Sequence, residues 1–116
     1  MSSKFEIFEG SNHQYYWRLR ARNYQIILAS EGYVSKSGCK NGIASAIANA
    51  PYEHAFRRLT AINGLPYFTL NATNGQVIGV SETYSSAQAR DAGIAAVKSE
   101  APTATVFDLS LESNFG

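Results

Sequence analysis

A chain of 116 residues, 45% hydrophobic and 16% charged, fits one domain with a modest core. Its net charge of +1 argues against a general attraction to nucleic acid or membrane, and its single cysteine excludes an internal disulfide. The opening MSSKFEIFEG lacks the apolar stretch of a secretory signal, and no run reaches the ~18 apolar residues of a membrane span. A reducing cytoplasm is therefore the expected setting.

In chain order, Phe5–Phe8 alternates as a short strand. Tyr15–Arg22 alternates cleanly, with Trp17, Leu19 and Ala21 on one face and Tyr16, Arg18, Arg20 and Arg22 on the other. A turn at Asn23-Tyr24 leads to a third strand, Gln25–Ser30. Tyrosine tolerates positive φ poorly, so this turn is expected to be looser or longer than a two-residue hairpin. Ser35 is the candidate N-cap of a helix, its oxygen placed to accept a first-turn N–H. The helix runs to about Asn49, since Pro51 forbids extension. Ile43, Ala46 and Ala50 form its apolar stripe.

The same elements then recur. Tyr16–Pro51 and Tyr67–Pro102 align without a gap at an offset of 51, with fifteen of 36 positions identical. In the second copy Phe68, Leu70 and Ala72 oppose Tyr67, Thr69, Asn71 and Thr73. Asn74-Gly75 signals a two-residue hairpin with φ > 0 at both positions. Gln76–Ser81 is the next strand, Ser86 caps a helix to about Glu100, and Ile94, Val97 and Ala101 form its stripe. Ala61–Leu65 reads as a loop. Phe5, Phe56 and Phe107 also stand 51 apart, so the first strand of the unit occurs three times.

Two copies are too few for a solenoid. The reading is one α+β domain in which residues 4–52 and 55–109 are the repeats and 110–116 a flexible tail. A single antiparallel sheet of about seven strands would carry two helices on one face. The last strand, near Thr105–Leu109, is expected to take in copy one the place that Phe56–Leu59 takes in copy two, exchanging strands between the halves. Pseudo-twofold symmetry suits a monomer, with a homodimer as the alternative.

Chemistry is sparse. Ser30-Glu31-x-Tyr33 and Ser81-Glu82-x-Tyr84 survive in both copies. They read either as a twofold-related polar site or, more simply, as strand-to-helix corners where glutamate and tyrosine satisfy backbone groups. Gly42 and Gly93 sit inside helices, where glycine costs roughly 0.5–1 kcal/mol relative to alanine, so the helix backbone is expected to come close to the sheet or to the other helix there. His13 and His54, with Cys39, are too few for a metal site, and both histidines are expected to be exposed. Cys39 reads as a half-buried inert thiol. No glycine loop of a nucleotide site and no Ser/His/Asp set is evident, so no cofactor, metal or catalytic residue is assigned. Residues 1–51 hold six Lys/Arg against three Asp/Glu (+3), and residues 52–116 hold four against six (−2). This asymmetry marks either a polar contact face or plain drift. Tyr16, Arg18, Arg20 and Arg22 form the candidate binding face, because aromatics beside arginines can stack bases and meet phosphates. The simpler reading is a solvated face whose arginine stems cover apolar neighbours.

The pattern Leu19–Tyr33, Gly42–Ala46 and Asn49-Ala50-Pro51, repeated as Leu70–Tyr84, Gly93–Val97 and Glu100-Ala101-Pro102, resembles the YegP-like family of small uncharacterised bacterial proteins. Tyr24, Ala96 and Glu100 depart from its motif. The resemblance implies two β3-α-β motifs in a single sheet with exchanged C-terminal strands, and it implies no activity. A non-catalytic binding or assembly protein using the sheet's open face or edges is the first functional expectation, and a nucleic-acid contact through the basic-aromatic face of copy one is the second.

Overall fold

The computed structural model describes residues 2–114. Strands β1 (Lys4–Glu9), β2 (Tyr15–Arg20) and β3 (Ile26–Ala29) precede helix α1 (Lys36–Asn49). Then β4 (Phe56–Thr60), β5 (Pro66–Asn71) and β6 (Val77–Val80) precede α2 (Ala87–Glu100) and β7 (Thr105–Asp108). Short 3-10 turns cover Glu53–Ala55, Ala101–Thr103 and Leu109–Asn114. All seven strands form one sheet in the order β4-β5-β6-β3-β2-β1-β7. It is antiparallel except where β7 runs parallel to β1. Both helices lie on one face, and the fold is α+β.

The repeat is geometric as well as textual. Ala29 of β3 pairs with Val80 of β6, and these positions are themselves 51 apart. The pseudo-twofold axis therefore passes between them. Phe5 faces Leu19 across β1 and β2, as Phe56 faces Leu70 across β4 and β5. Alternation sends Phe5, Ile7, Trp17 and Leu19 inward in one half and Phe56, Phe68 and Leu70 in the other, all buried. Phe5 meets Trp17 edge-on at 5.4 Å, and Phe56 meets Phe68 edge-on at 5.9 Å. Each such side chain contributes about 1.5–3 kcal/mol when fully buried. The helices close the core with Ile43, Ala46 and Ala50, and with Ile94, Val97 and Ala101. Ser35 accepts from the Gly38 N–H and Ser86 from the Ala89 N–H at 3.0 Å each, the caps the sequence predicts.

Four expectations change. First, β7 does not stand where Phe56–Leu59 stands, because β1 already holds that place in copy one. β7 lies outside β1, so the strand leaving each helix still joins the other half. Phe107 pairs with Glu6 and not with Leu19's row, so it faces away from the helices and is half-exposed. Its spacing from Phe5 is not structural equivalence.

Second, the hairpins are of another kind. The Ala72 N–H bonds to Gln76 O and the Gly75 N–H to Ala72 O, and φ is positive at Gly75 (88°) but not at Asn74. This is a three-residue loop, a type I turn followed by one left-handed residue. Copy one makes the same turn, with Tyr24 at φ 70°. It is not looser. Arg20 donates to Tyr24 O at 2.8 Å, and the Lys4 ammonium stands 4.9 Å above the Tyr24 ring. The two outer turns repeat the pattern with His13 (φ 63°) and Gly64 (φ 85°).

Third, the residues expected to form a tail from 110 continue as a 3-10 turn to Asn114, with Ser110 buried and its backbone N–H bonded to Asp108 at 3.0 Å. Residues 115 and 116 lie outside the described residues. Fourth, β2 ends at Arg20, where its register with β3 shifts.

Candidate functional site

The helix-free face of copy one begins with β2, which presents Tyr16, Arg18 and Arg20 together. Arg22 does not join them. It lies beyond the end of β2, with its backbone N–H bonded to Glu100 Oε1 at 3.0 Å. Pairing of β1 beside β2 adds Lys4, Glu6 and Phe8 to the face. Glu6 Oε1 accepts from Arg18 Nε at 2.8 Å and Arg20 Nε at 2.7 Å. Lys4 Nζ is 3.8 Å from the other carboxylate oxygen. Burial pushes the Glu6 carboxyl up, but the two arginine hydrogen bonds outweigh it and hold its pKa below the usual carboxylate value. Phe8 stacks on Tyr16 at 5.6 Å, and the Arg18 guanidinium lies 4.5 Å over Phe8. The stripe is thus a closed lattice of aromatics, arginines and one buried acid. Alternation within Phe5–Phe8 already turned Glu6 and Phe8 outward. Only the β1–β2 register puts Glu6 between the two arginines.

In copy two the equivalent positions carry other chemistry. Glu6 becomes Arg57, Phe8 becomes Leu59, and Arg18 and Arg20 become Thr69 and Asn71. Thr69 Oγ1 donates to Asn71 Oδ1 at 2.6 Å, and Asn71 donates to Gly75 O at 3.1 Å. Both are buried although no helix covers them. Beside them lies a depression of about 580 Å³ lined by Ala61, Ile62, Tyr67, Val80, Ser81 and Thr83, with Ile62 fully exposed. In copy one the equivalent tyrosine, Tyr16, is packed against two glycines that replace Ala61 and Thr83. Tyr16 lies against Gly10 and Gly32, where an added Cβ would stand 2.7 Å from Tyr16 Cε1 and 3.1 Å from Tyr16 Cζ.

The duplicated Ser-Glu-x-Tyr motif is a corner. Ser30 Oγ accepts from the Trp17 N–H and donates to Glu31 O, both at 2.9 Å. Ser81 does the same with Phe68 (2.9 Å) and Glu82 (2.8 Å). The serine, not the glutamate, satisfies the backbone. Glu31 and Glu82 make no side-chain hydrogen bond or ion pair among the described residues. The tyrosines account for the helix glycines. A Cβ at Gly42 would stand 2.7 Å from Tyr33 Cζ, and one at Gly93 2.7 Å from Tyr84 Cζ. The close approach is thus mainly a tyrosine from the preceding corner, with Trp17 Nε1 also 3.0 Å from the Gly42 position. Burial, with a smaller effect of Glu82, raises the Tyr84 pKa.

Cys39 is fully buried rather than half-buried, and burial, aided by Asp108, pushes its thiol up to about 11, which suppresses the nucleophilic thiolate. His13 is exposed and 3.4 Å from Glu9, and His54 is exposed and stacks on Tyr52. Among the described residues no three His, Cys, Asp or Glu side chains converge as metal ligands. No helix among them is long and apolar enough to cross a membrane.

Comparison with known proteins places the chain. The family described as "Domain of unknown function (DUF1508)" matches twice, over residues 11–56 and 61–108. A UPF0339 protein of Bordetella pertussis is 52% identical over 106 residues, covering 91% of this chain and 96% of the relative. UPF0339 protein YegP of Escherichia coli is 44% identical over 108 residues, covering 93% and 98%. The solution NMR structure of a UPF0339 protein from Shewanella oneidensis superimposes with a TM-score of 0.90 at 46% identity, covering 97% of this chain and 95% of that one. That of yegP from E. coli, titled a protein of unknown function, gives 0.89 at 43% identity, covering 95% of each. The names of these relatives assign no activity. With both DUF1508 units, this sheet order and these identities over nearly its whole length, the chain belongs to the YegP-like UPF0339 family in its tandem-repeat form.

Proposed function

We propose that the protein is a non-catalytic binding protein whose working surface is the helix-free face of copy two. One observation carries this reading. Tyr16 packs onto Gly10 and Gly32 in copy one, whereas its equivalent Tyr67 lines an apolar depression beside exposed Ile62 in copy two. An apolar hollow with a polar rim suits a protein partner. A cytoplasmic setting goes with it, since a single cysteine builds no internal disulfide. The alternative, a nucleic-acid contact through Tyr16, Arg18 and Arg20, has less support because Glu6 already engages both guanidinium groups.

The test is site-specific photo-crosslinking in bacterial cells, with the crosslinker at Ile62 and, as the symmetry control, at Ser11. Discrete adducts through position 62 and not 11 are expected. Equal adducts at both, or none, overturn the reading. Salt-sensitive NMR shifts of Tyr16–Arg20 with short single-stranded DNA or RNA would establish the alternative.

A further inference from the structure

The two edges of the sheet are unequal. In copy one the outer edge of β1 is covered by β7, whereas in copy two the outer edge of β4 has no partner strand among the described residues. Backbone parity shows that these edges correspond. The Trp17 N–H and C=O bond to Ser30, so they face β3. The groups of Tyr16 and Arg18 then face β1, those of Glu6 and Phe8 answer them, and those of Phe5 and Ile7 face β7. In keeping with this, the Thr105 N–H donates to Ser3 O at 3.3 Å. Copy two repeats the pattern. The Phe68 N–H and C=O face Ser81, just past the end of β6, so Arg57 and Leu59 answer β5. Phe56 and Arg58 face outward. The Phe56 N–H is taken by Glu53 O. Phe56 C=O and both backbone groups of Arg58 remain directed at solvent, where Ile7 and Phe5 meet β7 in copy one.

The side chains at this edge select a charge. In β7's register, the third residue of an added strand would lie beside Arg57 and the fourth beside Arg58, as Phe107 lies beside Glu6 and Asp108 beside Ile7. Arg57 is exposed on the helix-free face and has no ion-pair partner among the described residues. Arg58 points to the helix side, where Glu53 and Asp91 hold it. Arg58 is thus already neutralised, and the cation left for an incoming strand is Arg57, which would meet an acidic third residue. We propose that the β4 edge takes up an extended acidic segment of a partner protein as an eighth strand, parallel to β4, as β7 is held on β1. Main-chain bonds would supply affinity and Arg57 selectivity.

The proposal is independent of the depression at Ile62, and one experiment separates them. Amide shifts of the labelled full-length chain are followed with three capped peptides: TATVFD, which copies residues 103–108, and TATVED and TATVKK. TATVED is expected to shift Phe56–Thr60 and to bind more tightly than TATVFD, and TATVKK to shift nothing. Arg57→Glu is expected to weaken TATVED about fivefold or more, on the scale of one exposed charge pair reversed. No β4 shifts at millimolar TATVED, shifts centred on Ile62 and Tyr67, or displacement of β7 from Phe5–Ile7 would each overturn it. Arg58→Pro removes an outward N–H that edge strands can spare. It is expected to abolish peptide shifts while leaving the β5 amides in place. Self-association that Arg58→Pro abolishes would give the edge to a second copy instead and likewise overturn the acidic-partner assignment.

Discussion

Copies one and two share a backbone template and differ in what their helix-free faces are made to do. Copy one closes its face upon itself. Glu6 gathers Lys4, Arg18 and Arg20, Tyr16 lies on Gly10 and Gly32, and β7 seals the edge. Copy two leaves the same places open, with Arg57 where the acid stood, threonine and asparagine for the arginines, Ile62 at the rim, and a bare β4. Much of the inward face is shared, Phe5, Leu19, Ile43 and Ala50 recurring as Phe56, Leu70, Ile94 and Ala101, although Ile7 gives way to Arg58. The proposed binding surface accordingly lies on the half whose helix-free face carries fewer charges, not on the half where they are concentrated.

Charge reversal at the equivalent acid and base separates the faces most sharply. Glu6→Arg puts four cations together on a partly desolvated surface and should cost about 3 kcal/mol, as for breaking a buried pair. Arg57→Glu, at an exposed position, should stay within about 0.5 kcal/mol. Urea unfolding of both variants measures this, and equal losses would break the comparison.

The shared interior gives the next effect. Gly42→Ala and Gly93→Ala each drive a methyl into a tyrosine. Overpacking of about 1–3 kcal/mol, offset in part by better helix propensity, should leave each destabilised by about 1–2 kcal/mol. Gly42 should suffer more, because its second neighbour, Trp17 Nε1, lies at 3.0 Å against 3.2 Å for Phe68 Cε1 at Gly93. Thermal unfolding of the pair would show the order, and a gain in stability for either would sink the tyrosine account.

The smallest effect sharpens the comparison at the turns. Copy one places His13 and Tyr24 in the left-handed region, where copy two uses Gly64 and Gly75. His13→Gly should stabilise by up to about 1 kcal/mol by relieving that conformation. Tyr24→Gly should gain less, since it also loses the Lys4 contact. A fall in stability for His13→Gly in denaturant titration would show that His13 has a bond to Glu9 worth more than the strain.

Much of the fold was legible because its signals are local. Serine caps and closing prolines marked both helices to within a residue, and alternation named the buried faces of β2 and β5. The site was less legible. Tyr16, Arg18 and Arg20 were readable as neighbours, but their neutralising partner Glu6 lies twelve and fourteen residues upstream of the two arginines on another strand. The left-handed Tyr24 was not expected, because intrinsic φ preference omits the Arg20 and Lys4 contacts made to it. The tyrosine-over-glycine packing was seen only as two unexplained glycines.

By itself the sequence determined the duplication, the helix limits and which side of each strand turns inward, because caps, breakers and periodicity act over a few residues. Tertiary structure alone decided that β7 lies parallel outside β1, that Phe107 faces away from Phe5's side, and that Arg18 and Arg20 of β2 share an acid while Arg57 of β4 meets none among the described residues. These depend on contacts between residues as far apart as Ser3 and Glu100. At such separations loop closure and the competition among strand edges, not local preference, choose the neighbour.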